Sequence, residues 1–127
     1  MMAAMMRFAL LLVLLIPAAA TAQTRADMQC KRAGKDLIYN CVLRLARADQ
    51  PVSGAQLTVE PEMPSMPEAH KLKPVKGRPG PGPGEYLVRL DLDMPGEWAL
   101  RVRLSGPVRD QVVLRYTFDE RGARRSR

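Results

Sequence analysis

Trp98-Ala99-Leu100-Arg101-Val102-Arg103-Leu104 alternates large apolar residues with small or charged ones at every step. Successive side chains of a β-strand point to opposite faces, so Trp98, Leu100, Val102 and Leu104 share one face and both arginines lie on the other. One dry face and one wet face is the pattern of an antiparallel sheet packed on a single core. Upstream, Met94-Pro95-Gly96-Glu97 supplies a turn, and before it Tyr86, Val88, Leu90 and Leu92 alternate against Leu87, Arg89 and Asp91. The two runs therefore read as a hairpin. Downstream, Ser105-Gly106-Pro107 turns the chain into a last strand carrying Val112, Leu114, Tyr116 and Phe118.

The same period of two governs the first half of the chain, where the helical period is scarce. Leu37, Tyr39, Cys41, Leu43 and Leu45 take alternate positions, and Asp49 to Gly54 carries turn residues. Ala55 to Glu60 is a second strand with Leu57 and Val59 inward. Lys71 to Gly84 is expected to be an exposed loop, because Arg78-Pro79-Gly80-Pro81-Gly82-Pro83-Gly84 is excluded from the interior of a strand or helix. Five strong strands, with weaker ones near Met28 and Val75, predict an all-β fold. Its expected form is an immunoglobulin-like antiparallel β-sandwich of about seven strands.

The termini set the expected boundaries. Arg7, the apolar run Phe8 to Ile16, Pro17 and Ala20-Thr21-Ala22 make residues 1–22 read as a cleavable signal peptide. The run falls short of the roughly 20 apolar residues a spanning helix needs, so no stable membrane span is expected after cleavage. Residues 23–118 are then one domain in a periplasmic or secreted protein. Residues 119–127 hold four arginines between Arg121 and Arg127 and read as a disordered basic tail. The chain carries a formal charge of +7, but export and the lack of aromatic residues interleaved with basic ones argue against nucleic acid as a partner. Cys30 and Cys41 form an even pair in an oxidising compartment and are expected to make a disulfide.

Catalysis is hard to build here. A Ser-His or Cys-His arrangement would have to use the single histidine, His70, in a proline-bounded loop, and no serine sits in a nucleophile elbow. The alternating pairs Glu60/Glu62 and Asp91/Asp93 read as the wet face of strands, so no enzyme activity is expected. The chemistry concentrates instead in Glu62-Met63-Pro64-Ser65-Met66-Pro67-Glu68-Ala69-His70. Thioether sulfur with imidazole is a soft ligand set suited to Cu(I), and Met63, Met66 and His70 at Met-x-x-Met-x-x-x-His spacing could surround one ion. Met94 could supply a fourth donor if both strand ends emerge at the same end of the sandwich, with Trp98 packed beneath. Against this stands a plainer reading in which Met63 and Met66 fill gaps at an open end of the core.

Those segments, together with Gly84-Glu85-Tyr86 and Met94-Pro95-Gly96-Glu97-Trp98, resemble the FixH-like and YtkA-like families over roughly residues 35–118. The resemblance implies a small immunoglobulin-like domain outside the cytoplasmic membrane. It also implies copper handling, including supply to copper-dependent oxidases and their assembly factors. The chain differs from FixH proper in its cleavable signal, from many YtkA-like loops in having one histidine, and from both in Cys30 and Cys41. The expected function is thus an exported accessory protein carrying Cu(I). The alternative is a metal-free module contacting another envelope protein.

Overall fold

The computed structural model describes residues 12–16, 23–69 and 71–126. The signal-peptide reading therefore falls largely outside the described residues, and His70 lies outside them altogether. Ten strands follow one another: β1 (Thr24–Arg32), β2 (Ile38–Arg47), β3 (Gln50–Pro51), β4 (Gln56–Glu62), β5 (Val75–Lys76), β6 (Arg78–Pro79), β7 (Glu85–Asp91), β8 (Gly96–Gly106), β9 (Asp110–Asp119) and β10 (Gly122–Arg125). They form two antiparallel sheets. One runs β1-β2-β7-β6 with β3 paired to the end of β2, and the other runs β10-β9-β8-β4-β5.

The alternation read from the sequence selects the core. Tyr39, Cys41, Leu43 and Leu45 of β2 and Tyr86, Val88 and Leu90 of β7 face Leu57 and Val59 of β4, the four apolar positions of β8, and Leu114, Tyr116 and Phe118 of β9. The sandwich of two packed sheets is as expected; the strand inventory is larger. The segment near Met28 is a full strand, because Thr24, Ala26 and Met28 alternate inward against Arg25, Asp27 and Gln29. Within the tail expected to be disordered, residues 122–125 instead form a strand. β10 pairs with β9, with Arg124 opposite Thr117. Arg124 Nη2 donates to Asp119 Oδ2 at 2.7 Å, and that bond first, then the Arg121 amide, holds the Asp119 carboxyl below its usual range.

Residues 71–84 also depart from a plain exposed loop. Arg78–Pro79 pairs with β7 as a two-residue edge strand, a position that tolerates proline because no ladder bond is needed on its outer side. Between β5 and β6 the chain crosses from one sheet to the other at Gly77. Its amide donates to Leu57 O at 3.0 Å, and a Cβ there would collide with Leu57 Cδ1. That crossing closes one side of the sandwich.

Two tyrosines fasten the other side. Tyr39 OH donates to Asp119 O at 2.7 Å. Tyr116 OH accepts from the Met28 amide at 3.1 Å and meets Asp27 Oδ1 at 3.2 Å, so an edge amide of β1 is satisfied from the opposite sheet. Burial is the main cause raising both phenols above their ordinary value of 10.0. A group whose pKa is raised by folding contributes stability that is present below the unfolded value and lost as pH rises through the folded one. We expect the thermal midpoint to hold up to about pH 10 and fall steeply above it. Tyr39→Phe should flatten that alkaline limb in thermal scans between pH 8 and 11, and an unchanged slope would contradict the assignment.

Candidate functional site

β4 ends at Glu62, and the chain then makes an excursion that returns beside it. Glu62 bridges Lys71, and the Leu72 amide donates to Pro61 O at 3.1 Å. Glu60, nearly buried, holds Lys71 Nζ at 3.3 Å and lies 3.9 Å from Arg103 Nη2. This neck pins the loop that carries the methionines. Within it, the Met66 amide donates to Met63 O at 3.1 Å, closing a turn over Pro64 and Ser65. Proline at the second turn position presets the backbone angle this requires.

Met63 points back into the domain. It is 4% exposed and belongs to the core cluster. Its methyl rests against the β7–β8 turn, where a Cβ placed on Gly96 would stand 3.1 Å from Met63 Cε. Gly96 has φ +134°, a conformation L side chains rarely adopt, so glycine serves both the turn and the close approach. Met94 sits two residues earlier in the same turn, half-buried and packed on the core. Its carbonyl accepts a hydrogen bond from Trp98 Nε1 at 3.1 Å, and Trp98 itself is fully buried. Met66 is 39% exposed.

The loop thus brings Met63 to the Met94 turn and leaves Met66 at the surface one turn away. Among the described residues, no group of three or more His, Cys, Asp or Glu side chains is placed to hold a metal. Both cysteines are joined, Cys30 to Cys41, as expected. Beside the turn, an open cleft of about 550 Å³ is lined by Leu37, Leu92, Asp93, Pro95, Arg32 and Glu120 among others, and it contains no methionine.

Sequence reasoning missed the two groups that organise this end. Gly96 was readable only as a turn residue, whereas its contact with Met63 needs the register Glu62↔Ala99 of β4 on β8. The Glu60–Lys71 pair was hidden because Glu60 reads as an ordinary wet-face carboxylate. A signal for the tryptophan anchor was present in Met94-Pro95-Gly96-Glu97-Trp98: an indole N–H four residues past a tight turn can reach back to the turn's carbonyl.

A family model described as YtkA-like matches residues 29–103, from within β1 into β8 and across both methionine segments. The chain belongs to the YtkA-like family. No curated protein and no solved structure matches it.

Proposed function

We propose that this YtkA-like domain is an exported copper-handling accessory protein that carries Cu(I) at its methionine end and performs no bond-making chemistry. The observation that supports the reading is the Met63 methyl resting against Gly96, two residues from Met94, because thioethers from two separate strand ends then lie at the same end of the sandwich. Soft sulfur selects Cu(I) over hard cations. Met66, the exposed donor, meets the ion first. Met63 and Met94 reach it by side-chain rotation, which methionine's three rotatable bonds allow without moving a strand. His70 is the proposed imidazole donor. A site with one donor at the surface and no closed shell suits exchange with a partner, here a copper-dependent oxidase assembly factor or another envelope protein. The disulfide and the exposed apolar run Leu12 to Ile16 support a periplasmic or secreted location.

The burial of Met63 favours a second reading, since a methionine that is 4% exposed is also what gap-filling in a core produces. In that reading the domain is a metal-free interaction module. An anaerobic titration of the purified protein with Cu(I) against a chromophoric chelator separates them. We expect saturable one-to-one binding that is abolished by combined Met63→Leu and Met66→Leu, with folding stability lowered by no more than about 1.5 kcal/mol. Unchanged affinity in the double variant removes these ligands. Absence of binding by the unaltered protein at micromolar metal selects the interaction module.

A further inference from the structure

β7 is covered along its whole length by β2 on one side, from Arg44↔Glu85 to Ile38↔Asp91. On its other side the only strand partner among the described residues is β6, which reaches Tyr86 and Leu87 and no further. At Gly77 the chain passes between this sheet and β5, which pairs with β4 in the other sheet and approaches β7 without pairing with it, so residues 88–91 have no hydrogen-bonded strand on that side among the described residues. The phase of the backbone is known. Glu85 O accepts from Gly80 N at 2.7 Å and Glu85 N donates to Gly82 O at 3.2 Å, both toward the β6 side. Alternate residues of a strand direct both backbone groups the same way, so Arg89 and Asp91 present N–H and C=O toward the uncovered side.

The surroundings of that edge are apolar within and cationic at the rim. An open cleft of about 310 Å³ is lined by Pro61, Leu72, Lys73, Val75, Arg89 and Asp91. A second, of about 440 Å³, is lined by Asn40, Arg78, Leu87, Val88 and Arg89. Between Glu68 and Glu85 the sequence has no acidic residue but carries Lys71, Lys73, Lys76 and Arg78. Lys71 is held by Glu60, whereas Lys73, Lys76, Arg78 and Arg89 are in no ion pair among the described residues. Among the described residues that line the two clefts, Asp91 is the one carboxylate.

We propose that this edge is a docking site for an extended, acidic segment of a partner protein, which adds as a short strand beside residues 88–91 of β7. Strand addition takes its affinity from main-chain hydrogen bonds and its selectivity from pockets for alternate side chains. Residues of the incoming segment on the outer face stand beside Arg89 and Arg78, which selects carboxylates. Those on the inner face enter the cleft formed by Pro61, Leu72 and Val75, which selects apolar side chains. Pro74 and Pro79 flank the site, and with the cationic rim they discourage indiscriminate pairing of the edge. The inference does not depend on copper, because no methionine lines either cleft.

The test uses the full chain, isotopically labelled, and the peptide Ac-Val-Glu-Val-Glu-Val-Glu-NH2 as probe. We expect saturable amide shifts centred on Arg89 and Asp91, at least tenfold weaker binding of the lysine counterpart, and loss of binding when the probe's backbone is N-methylated. Arg89→Glu, a change at an exposed side chain, should weaken the acidic probe at least tenfold and favour the lysine one. No saturation up to about 1 mM, shifts centred on β1 or β10 instead, or an Arg89→Glu variant with unaltered preference would each overturn the proposal. So would concentration-dependent dimerisation abolished by Arg89→Glu, which would give the edge to a second copy of the chain.

Discussion

Trp98→Ala is expected to cost about 3–5 kcal/mol of folding stability. The indole is fully buried on β8, between β4 and β9 and directly opposite Tyr116. Truncation removes most of its apolar surface and leaves a cavity that two flanking strands cannot collapse to fill. It also leaves the Met94 carbonyl without its 3.1 Å donor. A domain of this size has about 5–15 kcal/mol in total, so the variant should sit near its unfolding threshold at 37 °C. Trp98→Phe separates the two effects: it keeps much of the buried area and loses the hydrogen bond, for an expected cost of about 1–2 kcal/mol. Denaturant titrations of the three proteins, read as midpoints at constant slope, check this. A loss below about 1 kcal/mol for Trp98→Ala would mean that the core repacks freely around the site.

The same tryptophan shows why most of the fold was legible. Its strand alternates without interruption, and the inward residues of β2, β4, β7 and β9 follow the same rule. Legibility weakened where the inward residues are small, leaving β1 readable only as a weaker strand near Met28, and it failed where the pairing is short. β1 buries Thr24 and Ala26, which carry little hydropathy signal, and β10 is a four-residue edge rich in arginine. β6 contains a proline and exists only because β7 offers it a partner. At the candidate site the donor atoms were legible as residue types. The inward turn of Met63 was not, since it depends on which strand lies alongside β4 and on a glycine with positive φ in that strand's turn.

The second large effect concerns the disulfide. Cys30 and Cys41 are directly opposite partners in the β1–β2 register, with Cα atoms 4.0 Å apart. Both lie in phase with the core-facing residues of their strands. β1 is a long edge strand with one ladder neighbour, so its detachment would open one side of the core, and the cross-link ties it to the next strand of its sheet. We expect reduction to cost about 3 kcal/mol, the value for closing a short loop in the chain-entropy model. Cys30→Ala with Cys41→Ala should cost at least as much, because it also removes buried sulfur. Hydrogen exchange should report the loss locally first, with amides of residues 24–32 opening before those of β8, and with the Met28 amide losing the protection that Tyr116 OH gives it. A change under about 1 kcal/mol, or uniform opening of both sheets, would contradict this account. Set against a total of about 5–15 kcal/mol, a 3 kcal/mol dependence makes the folded population markedly larger in an oxidising compartment than in a reducing one. In that case the bridge does more than lock a finished fold: it makes stable folding depend on the redox state of the chain's surroundings.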